Sequence, residues 1–382
     1  MLARSMSLSL YIHIPWCIRK CPYCDFNSHK SPDELPEKQY IDALLLDMKQ
    51  DLQRYSAERK IESIFFGGGT PSLFSAKAFE TLFQELQKQL TFASDIEITL
   101  EANPGTVESQ RFSDYRALGI NRLSLGIQSF HKTHLKALGR IHDDKEAHRA
   151  IETARLANFD NINIDLMYGL PGQTVKEGLH DLKSAMSYQP EHLSWYQLTI
   201  EPNTLFYKKK PTLPTDDVTY LLEEEGLSLL DLHGLTRYEI SAFSKEHKKA
   251  RHNLNYWLFG DYFGIGAGAH GKLTHLQNMK IIRTRKHRQP HDYLDKNKPF
   301  LASIEEVCDA DLVFEFMLNT TRLEQPISNS LFTLRTGLEF GFLLPKLQQA
   351  EAKGFIKTTK TDWQITSFGR RYTNDLQALF LP

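Results

Sequence analysis

Cysteine is scarce in this 382-residue chain: there are four, and three of them fall within eight positions. Thiols that crowded, behind an N-terminus that makes a poor secretory signal, do not suit a disulfide framework and do suit a metal site. The N-terminus carries Arg4, but Ser5 to Ile14 mixes Ser, Tyr and His with its apolar residues and offers no small-residue cleavage site. It reads as a first strand, and a cytoplasmic protein is expected. No apolar run nears the ~20 residues that a membrane span requires. Net charge is nearly absent too, with 46 Lys and Arg against 47 Asp and Glu. The chain therefore has no general attraction for nucleic acid or anionic lipid. It has no internal repeat and no low-complexity segment. What is present, 41% hydrophobic and 24% charged residues, is ordinary for a folded protein with one large domain and one small one.

Between residue 8 and about 235 the apolar pattern switches repeatedly between strand and helix periods. Strands are predicted at Leu8–Ile14, Ser63–Phe66, Ile96–Leu100, Arg122–Ile127, Asn161–Met167 and His192–Leu198. Amphipathic helices fall between them, such as the one marked by Ile41, Leu44, Leu45, Met48 and Leu52. Six strand–helix units in succession predict a parallel α/β sheet, because parallel neighbours need crossover connections. Six units rather than eight suggest a partial, TIM-like (β/α)6 barrel over 1–235, although the pattern equally allows an open doubly wound sheet. Residues 236–300 read as a connecting segment, rich in aromatics and glycine at 252–271 and basic at Arg283–Arg288. Residues 301–382 read as a small winged-helix-like α+β domain, three helices and then a hairpin near Phe355–Ile365. Its acids (Glu305, Glu306, Asp309, Asp311, Glu315) argue against a DNA-binding role, which needs a concentrated basic surface.

The chemistry-bearing residues gather where strands end, the edge at which parallel α/β folds bind ligands. Cys17, Cys21 and Cys24, in Cys17-Ile-Arg-Lys-Cys21-Pro-Tyr-Cys24, follow the first strand. Zinc usually recruits four ligands in separated pairs, and no second pair exists here. Three thiolates can hold three irons of a [4Fe–4S] cube and leave the fourth open to an outside ligand. Gly67-Gly68-Gly69-Thr70-Pro71 follows the second strand, and its backbone N–H and C=O groups could hold an ammonium or a carboxylate. Glu101 ends the third strand and could accept ribose hydroxyls. Gln128 ends the fourth and could read a polar cofactor edge. Arg140 could pair with a carboxylate. Asp165 lies in the apolar run Ile164-Asp165-Leu166-Met167, where a buried acid needs a partner. Cys308 stands alone and reads as a small buried hydrophobe in a helix. His252-Asn-Leu-Asn-Tyr256-Trp257 joins a histidine to aromatic walls, which is what a haem pocket requires, and His270 is a second candidate. The Arg283–Arg288 stretch could meet porphyrin propionates.

The CxxxCxxC spacing resembles the radical S-adenosylmethionine superfamily, in which the methionyl amine and carboxylate chelate the open iron and an electron from the cluster splits the sulfonium. Taken together, Tyr11-Ile-His-Ile-Pro-Trp-Cys17, the GGGTP turn, Glu101-Ala-Asn-Pro, Gly126-Ile-Gln-Ser-Phe, Asp165-Leu-Met-Tyr-Gly-Leu-Pro-Gly and His252-Asn-Leu-Asn-Tyr-Trp resemble the HemW family of haem chaperones. That family is related to oxygen-independent coproporphyrinogen III oxidase. The resemblance implies cluster ligation by Cys17, Cys21 and Cys24. It implies contact with S-adenosylmethionine by Tyr11, Tyr23, Gly68, Gly69, Thr70, Glu101, Gln128, Arg140 and Asp165. It places haem at His252, Tyr256 and Trp257, for delivery to an acceptor such as a membrane haemoprotein. The oxidase has a further cysteine where this chain has Phe26, and an N-terminal extension that this chain lacks. Both differences point away from coproporphyrinogen oxidation, the enzymatic alternative.

Overall fold

The computed structural model describes residues 7–55, 59–105, 111–275 and 278–382. Six strands follow one another in chain order: β1 (Leu8–Ile14), β2 (Ile61–Gly68), β3 (Phe92–Ala102), β4 (Arg122–Gln128), β5 (Ile162–Tyr168) and β6 (His192–Gln197). Each pairs in parallel with the next. Helices α1 (Glu37–Arg54), α2 (Ala76–Gln89), α3 (Phe112–Ala117), α4 (Asp144–Leu156) and α5 (Val175–Ser187) supply the crossovers. A doubly wound sheet reverses its strand order, and this one does not. Right-handed crossovers taken always in the same direction put every helix on one face. The other face is left free for a cavity, and this is the barrel-type solution of the two the pattern allowed.

The sheet continues past residue 235. After α6 (Asp216–Leu232) come β7 (Thr236–Glu239) and β8 (Ala242–Ser244), and then β9 (Asp261–Ile265), β10 (His270–His275), β11 (Lys280–Lys286) and β12 (Leu301–Glu306). The order across the sheet is β12-β11-β10-β9-β1-β2-β3-β4-β5-β6-β8-β7. β9 lies parallel to β1, and the other additions are antiparallel. Residues 236–300, expected as a connection, thus supply five strands to the sheet, while Arg251–Trp257 forms helix α7.

Those additions pair through charge and are poorly marked by apolar alternation. Lys272 and Lys286 are buried, bonded to Asp261 and to Asp47 and Asp51. Arg283 pairs with Glu315 and Arg285 with Glu305. Three of the four Lys and Arg side chains in Arg283–Arg288 thus already have carboxylate partners, which leaves little free charge for propionates.

The C-terminal residues form helices Asp309–Thr320, Asn329–Thr336 and Leu344–Ala352, then the hairpin Ile356–Thr358 with Asp362–Ile365. That is the expected winged-helix-like order. Its core includes Phe259, between α7 and β9, and Ile281 on β11, beside Phe316, Phe332 and Trp363. Cys308 does not pack as a core residue. It precedes the helix Asp309–Thr320, is exposed, and donates to Asp311 Oδ2.

Candidate functional site

Alternate residues of a strand face the same side, and on the helix-free side of β3 to β6 they are polar. Thr99, Glu101 and Asn103 stand on or just past β3, Ser124 and Gln128 on β4, Asn163 and Asp165 on β5, Ser194 and Tyr196 on β6, and all line one cavity. The register puts Glu101 beside Ser124, Ser124 beside Asn163, and Asp165 beside Ser194. The cavity encloses about 560 Å³, within the roughly 300–1,000 Å³ usual for small-molecule sites. The cysteine loop closes one end of it.

Three contacts hold that loop to the strand ends. Gly69 N–H donates to the Ile14 carbonyl and Thr70 N–H to the Trp16 carbonyl, each at 2.7 Å. A Cβ on Gly69 would lie 2.5 Å from the Trp16 carbonyl oxygen, so only glycine permits this approach. Tyr11 Oη donates to His13 Nδ1 at 2.9 Å, and His13 Nε2 donates to the Asn27 carbonyl at 2.8 Å.

The three cysteines are free, half-buried, and on the same cavity wall. Polar groups attend each sulfur. Thr70 Oγ1 donates to Cys17 Sγ at 3.4 Å, Arg140 Nη1 to Cys21 Sγ at 3.7 Å, and Ser28 Oγ stands 3.7 Å from Cys24 Sγ. Asn103 joins two of these, donating to Thr70 Oγ1 and accepting from Arg140 Nη2. Burial pushes the Cys17 and Cys24 thiols up, so their thiolates call for a bound cation. Three thiols flanked by donors fit a cluster that takes three protein ligands.

The other expected residues divide. Tyr23, Gly68, Gly69, Thr70, Glu101, Gln128, Arg140 and Asp165 share the cavity with the cysteines. Arg140 is fixed by the Gly126 carbonyl at 2.7 Å as well as by Asn103. Gln128 has φ +70° at a register shift in β4, and its side chain accepts from Tyr196 Oη at 2.9 Å. Burial, and then the charge of Asp165, pushes Glu101 up to about 8. Burial also raises Asp165, against bonds from Asn163 and Ser124. The glycine turn offers less than its sequence suggested, because Gly68 N–H donates to Glu101 and the next two N–H groups to the cysteine loop. Tyr11 does not line the cavity and instead supports the loop through His13.

His252, Tyr256 and Trp257 do not form an open pocket. His252 is 1% exposed. Its Nδ1 stands 3.1 Å from Ser63 Oγ and its Nε2 2.9 Å from Tyr256 Oη. It stacks on Phe65, which separates it from the cavity, and burial pushes its pKa down to about 3. Trp257 lies under Arg322, 4.2 Å from the ring centre. In this arrangement His252 is a satisfied core residue with neither nitrogen open to a metal. His270 sits exposed at the start of β10. Sequence reasoning passed over Ser124, Asn163, Ser194 and Tyr196, which the period-two alternation on the predicted strands would have marked, and Asn103, which lies beyond the predicted strand.

Residues 11–185 match the radical SAM superfamily, and residues 309–372 match the HemN C-terminal domain. The chain is 48% identical over 377 residues to the heme chaperone HemW of Haemophilus influenzae, covering 98% of each chain. It is 48% identical over 374 residues to HemW of Escherichia coli, again covering 98% of each. HemW of Bacillus subtilis is 34% identical over 383 residues, with 98% of this chain and 99% of that one covered. The solved structure of coproporphyrinogen III oxidase (HemN) from Escherichia coli matches with a TM-score of 0.82 over 99% of this chain and 91% of that one. Its identity is 23%, so that likeness speaks for the fold alone. By full-length similarity to its curated relatives, this chain belongs to the HemW family, built on a radical SAM core.

Proposed function

We propose that this protein binds haem and hands it to an acceptor, with a [4Fe–4S] cluster and S-adenosylmethionine in the cavity assisting or regulating the transfer. Full-length similarity to proteins named heme chaperones carries the reading. Cys17, Cys21 and Cys24 would hold the cluster. Arg140, held by Gly126 and Asn103, would face the methionyl carboxylate, and Glu101 the ribose. When bound, the pair can supply reductive cleavage of the sulfonium to a 5′-deoxyadenosyl radical. The protein's part is to hold the cofactor by fixed polar groups and keep water from it.

Haem is an apolar disc with two carboxylates, so it needs an open apolar surface beside cations. The rim outside the cysteine loop has both. Ile18, Phe26 and Ile141 are 56%, 62% and 59% exposed, and Arg19, Lys20 and Lys30 stand with Ile18 and Ile141 around a surface hollow. The rim therefore suits the haem edge better than the closed His252 face. No helix among the described residues is long and apolar enough to cross a membrane. We place delivery in the cytoplasm, to an acceptor that includes a membrane haemoprotein among its candidates.

Haem titration of the cluster-loaded protein, followed by absorbance, tests the proposal. The double substitution Ile18→Asp, Ile141→Asp should weaken haem binding about tenfold or more, an energy of about 1.4 kcal/mol. His252→Ala should leave it within a few-fold. The reverse pattern returns haem to the His252 motif. Coproporphyrinogen turnover without haem binding would reject the chaperone reading itself.

A further inference from the structure

A second set of ligand-type side chains meets outside the cavity, where the loops after β4 and β5 adjoin. His131 caps and His134 lies within the short helix Lys132–Ala137, and both face Glu177 in the first turn of α5. One ring nitrogen from each histidine and one carboxylate oxygen all lie within 4.8 Å of one another. His134 is 2% exposed, and neither of its ring nitrogens has a hydrogen-bond partner. Glu177 Oε2 stands 3.6 Å from His134 Nε2, beyond hydrogen-bond range. The Pro171 carbonyl adjoins the ring without bonding geometry. An imidazole buried with both nitrogens orphaned is a costly arrangement, and a cation among the three groups would use its lone pair.

We propose that His131, His134 and Glu177 bind a divalent transition ion of zinc type. Two imidazoles and a carboxylate suit such an ion, whereas magnesium and calcium prefer all-oxygen sites. His180 lies one turn beyond Glu177 on α5, with its ring centre 5.8 Å from that of His131, and is placed to supply a fourth ligand. Bonds hold the Glu177 carboxylate and the backbone of His131 in place. Thr174 N–H and Oγ1 both donate to Glu177 Oε2 at 2.8 Å. Ser129 Oγ accepts from His131 N–H at 2.9 Å and itself donates to Asp181.

The site's position gives the ion a structural task. The helix Lys132–Ala137 leads straight to Gly139, where a Cβ would lie 2.8 Å from Pro22 of the cysteine loop, and to Arg140, which reaches Cys21. Tying this helix to α5 braces the segment that presents Arg140 to the cavity.

The test uses the cluster-loaded protein, so that the three cysteines are already filled. Zinc binding is measured by competition with a chromogenic chelator, alongside the thermal midpoint. The parent should hold one zinc per chain beyond the cluster iron and melt at a higher temperature with it, whereas magnesium should do neither. His131→Ala and Glu177→Gln change only partly exposed side chains, and the glutamine preserves the helix cap. Each should weaken zinc binding about tenfold or more, with helix content and cluster absorbance unchanged. Equal zinc affinity in both variants and the parent overturns the proposal, as does a cluster-loaded parent that retains no zinc against the chelator.

Discussion

At the scale of single residues, the cavity depends on how closely backbone and polar side chains approach. Gly126 shows this most directly. A Cβ there would lie 2.9 Å from Asn103 Oδ1 and 3.3 Å from Arg140 Nη2, the two groups that hold each other across the site. Gly126→Ala should therefore displace the guanidinium without unfolding the strand. S-adenosylmethionine affinity of the cluster-loaded protein is expected to fall about tenfold or more, while the cluster still assembles; equilibrium dialysis and iron analysis measure the two separately. Glu101 gives a second expectation. Its folded pKa of about 8 lies above its ordinary 4.5, through burial first and Asp165 second. The folded state then binds a proton that the unfolded state releases between those values, so stability falls as pH rises through that window. Thermal midpoints of the cluster-free protein should decline from about pH 6 to about pH 8 for this reason. Glu101→Gln should flatten that decline, and an unchanged slope would show the residue already ionised. The identity of these acids was legible in the sequence, as were the three cysteines, because charge in an apolar strand and tight thiol spacing are local signals. The closure of the His252 face was not, because it depends on Ser63 and Phe65, nearly two hundred positions away in the chain.

At the scale of elements, α1 and β11 show how charge replaces apolar burial. Lys286 bonds Asp51 at 2.8 Å and Asp47 as well, and all three are buried. Removing the cation leaves two carboxylates facing each other without water, so Lys286→Met is expected to cost about 3–5 kcal/mol in urea unfolding. One residue earlier, Arg285 pairs with Glu305 in the open, both about half exposed. Arg285→Met should cost no more than about 1 kcal/mol. Comparable losses from both substitutions would mean that the buried triad holds no special place. The same contrast explains what the sequence concealed. β1 to β6 announce themselves because they carry apolar residues toward the helices on one face. β11 buries Lys286 instead, so Arg283–Arg288 reads as a solvated basic stretch until Asp47 and Asp51 are seen beneath it, and β10 likewise buries Lys272 against Asp261.

At the scale of the whole molecule, the question is whether the C-terminal module folds on its own. Its core argues that it does not. Phe316 is fully buried between Phe332 of its own module and Phe259, which follows α7 and precedes β9 in the large sheet, with ring centres 5.2 and 5.8 Å away. Charge continues the junction, since Arg322 reaches Glu239 at the end of β7, and Arg237 on β7 pairs with Glu324. An apolar core shared across two units couples their stabilities. Urea unfolding followed by tryptophan fluorescence, which includes buried Trp363 in the module, should coincide with unfolding followed by helix content across the chain. Phe316→Ala removes a ring from that shared core and should cost about 3–5 kcal/mol. It should move both transitions together. If unfolding instead splits into two steps and Phe316→Ala moves only one of them, the module is an independent domain and its contact with Phe259 is only a docking surface.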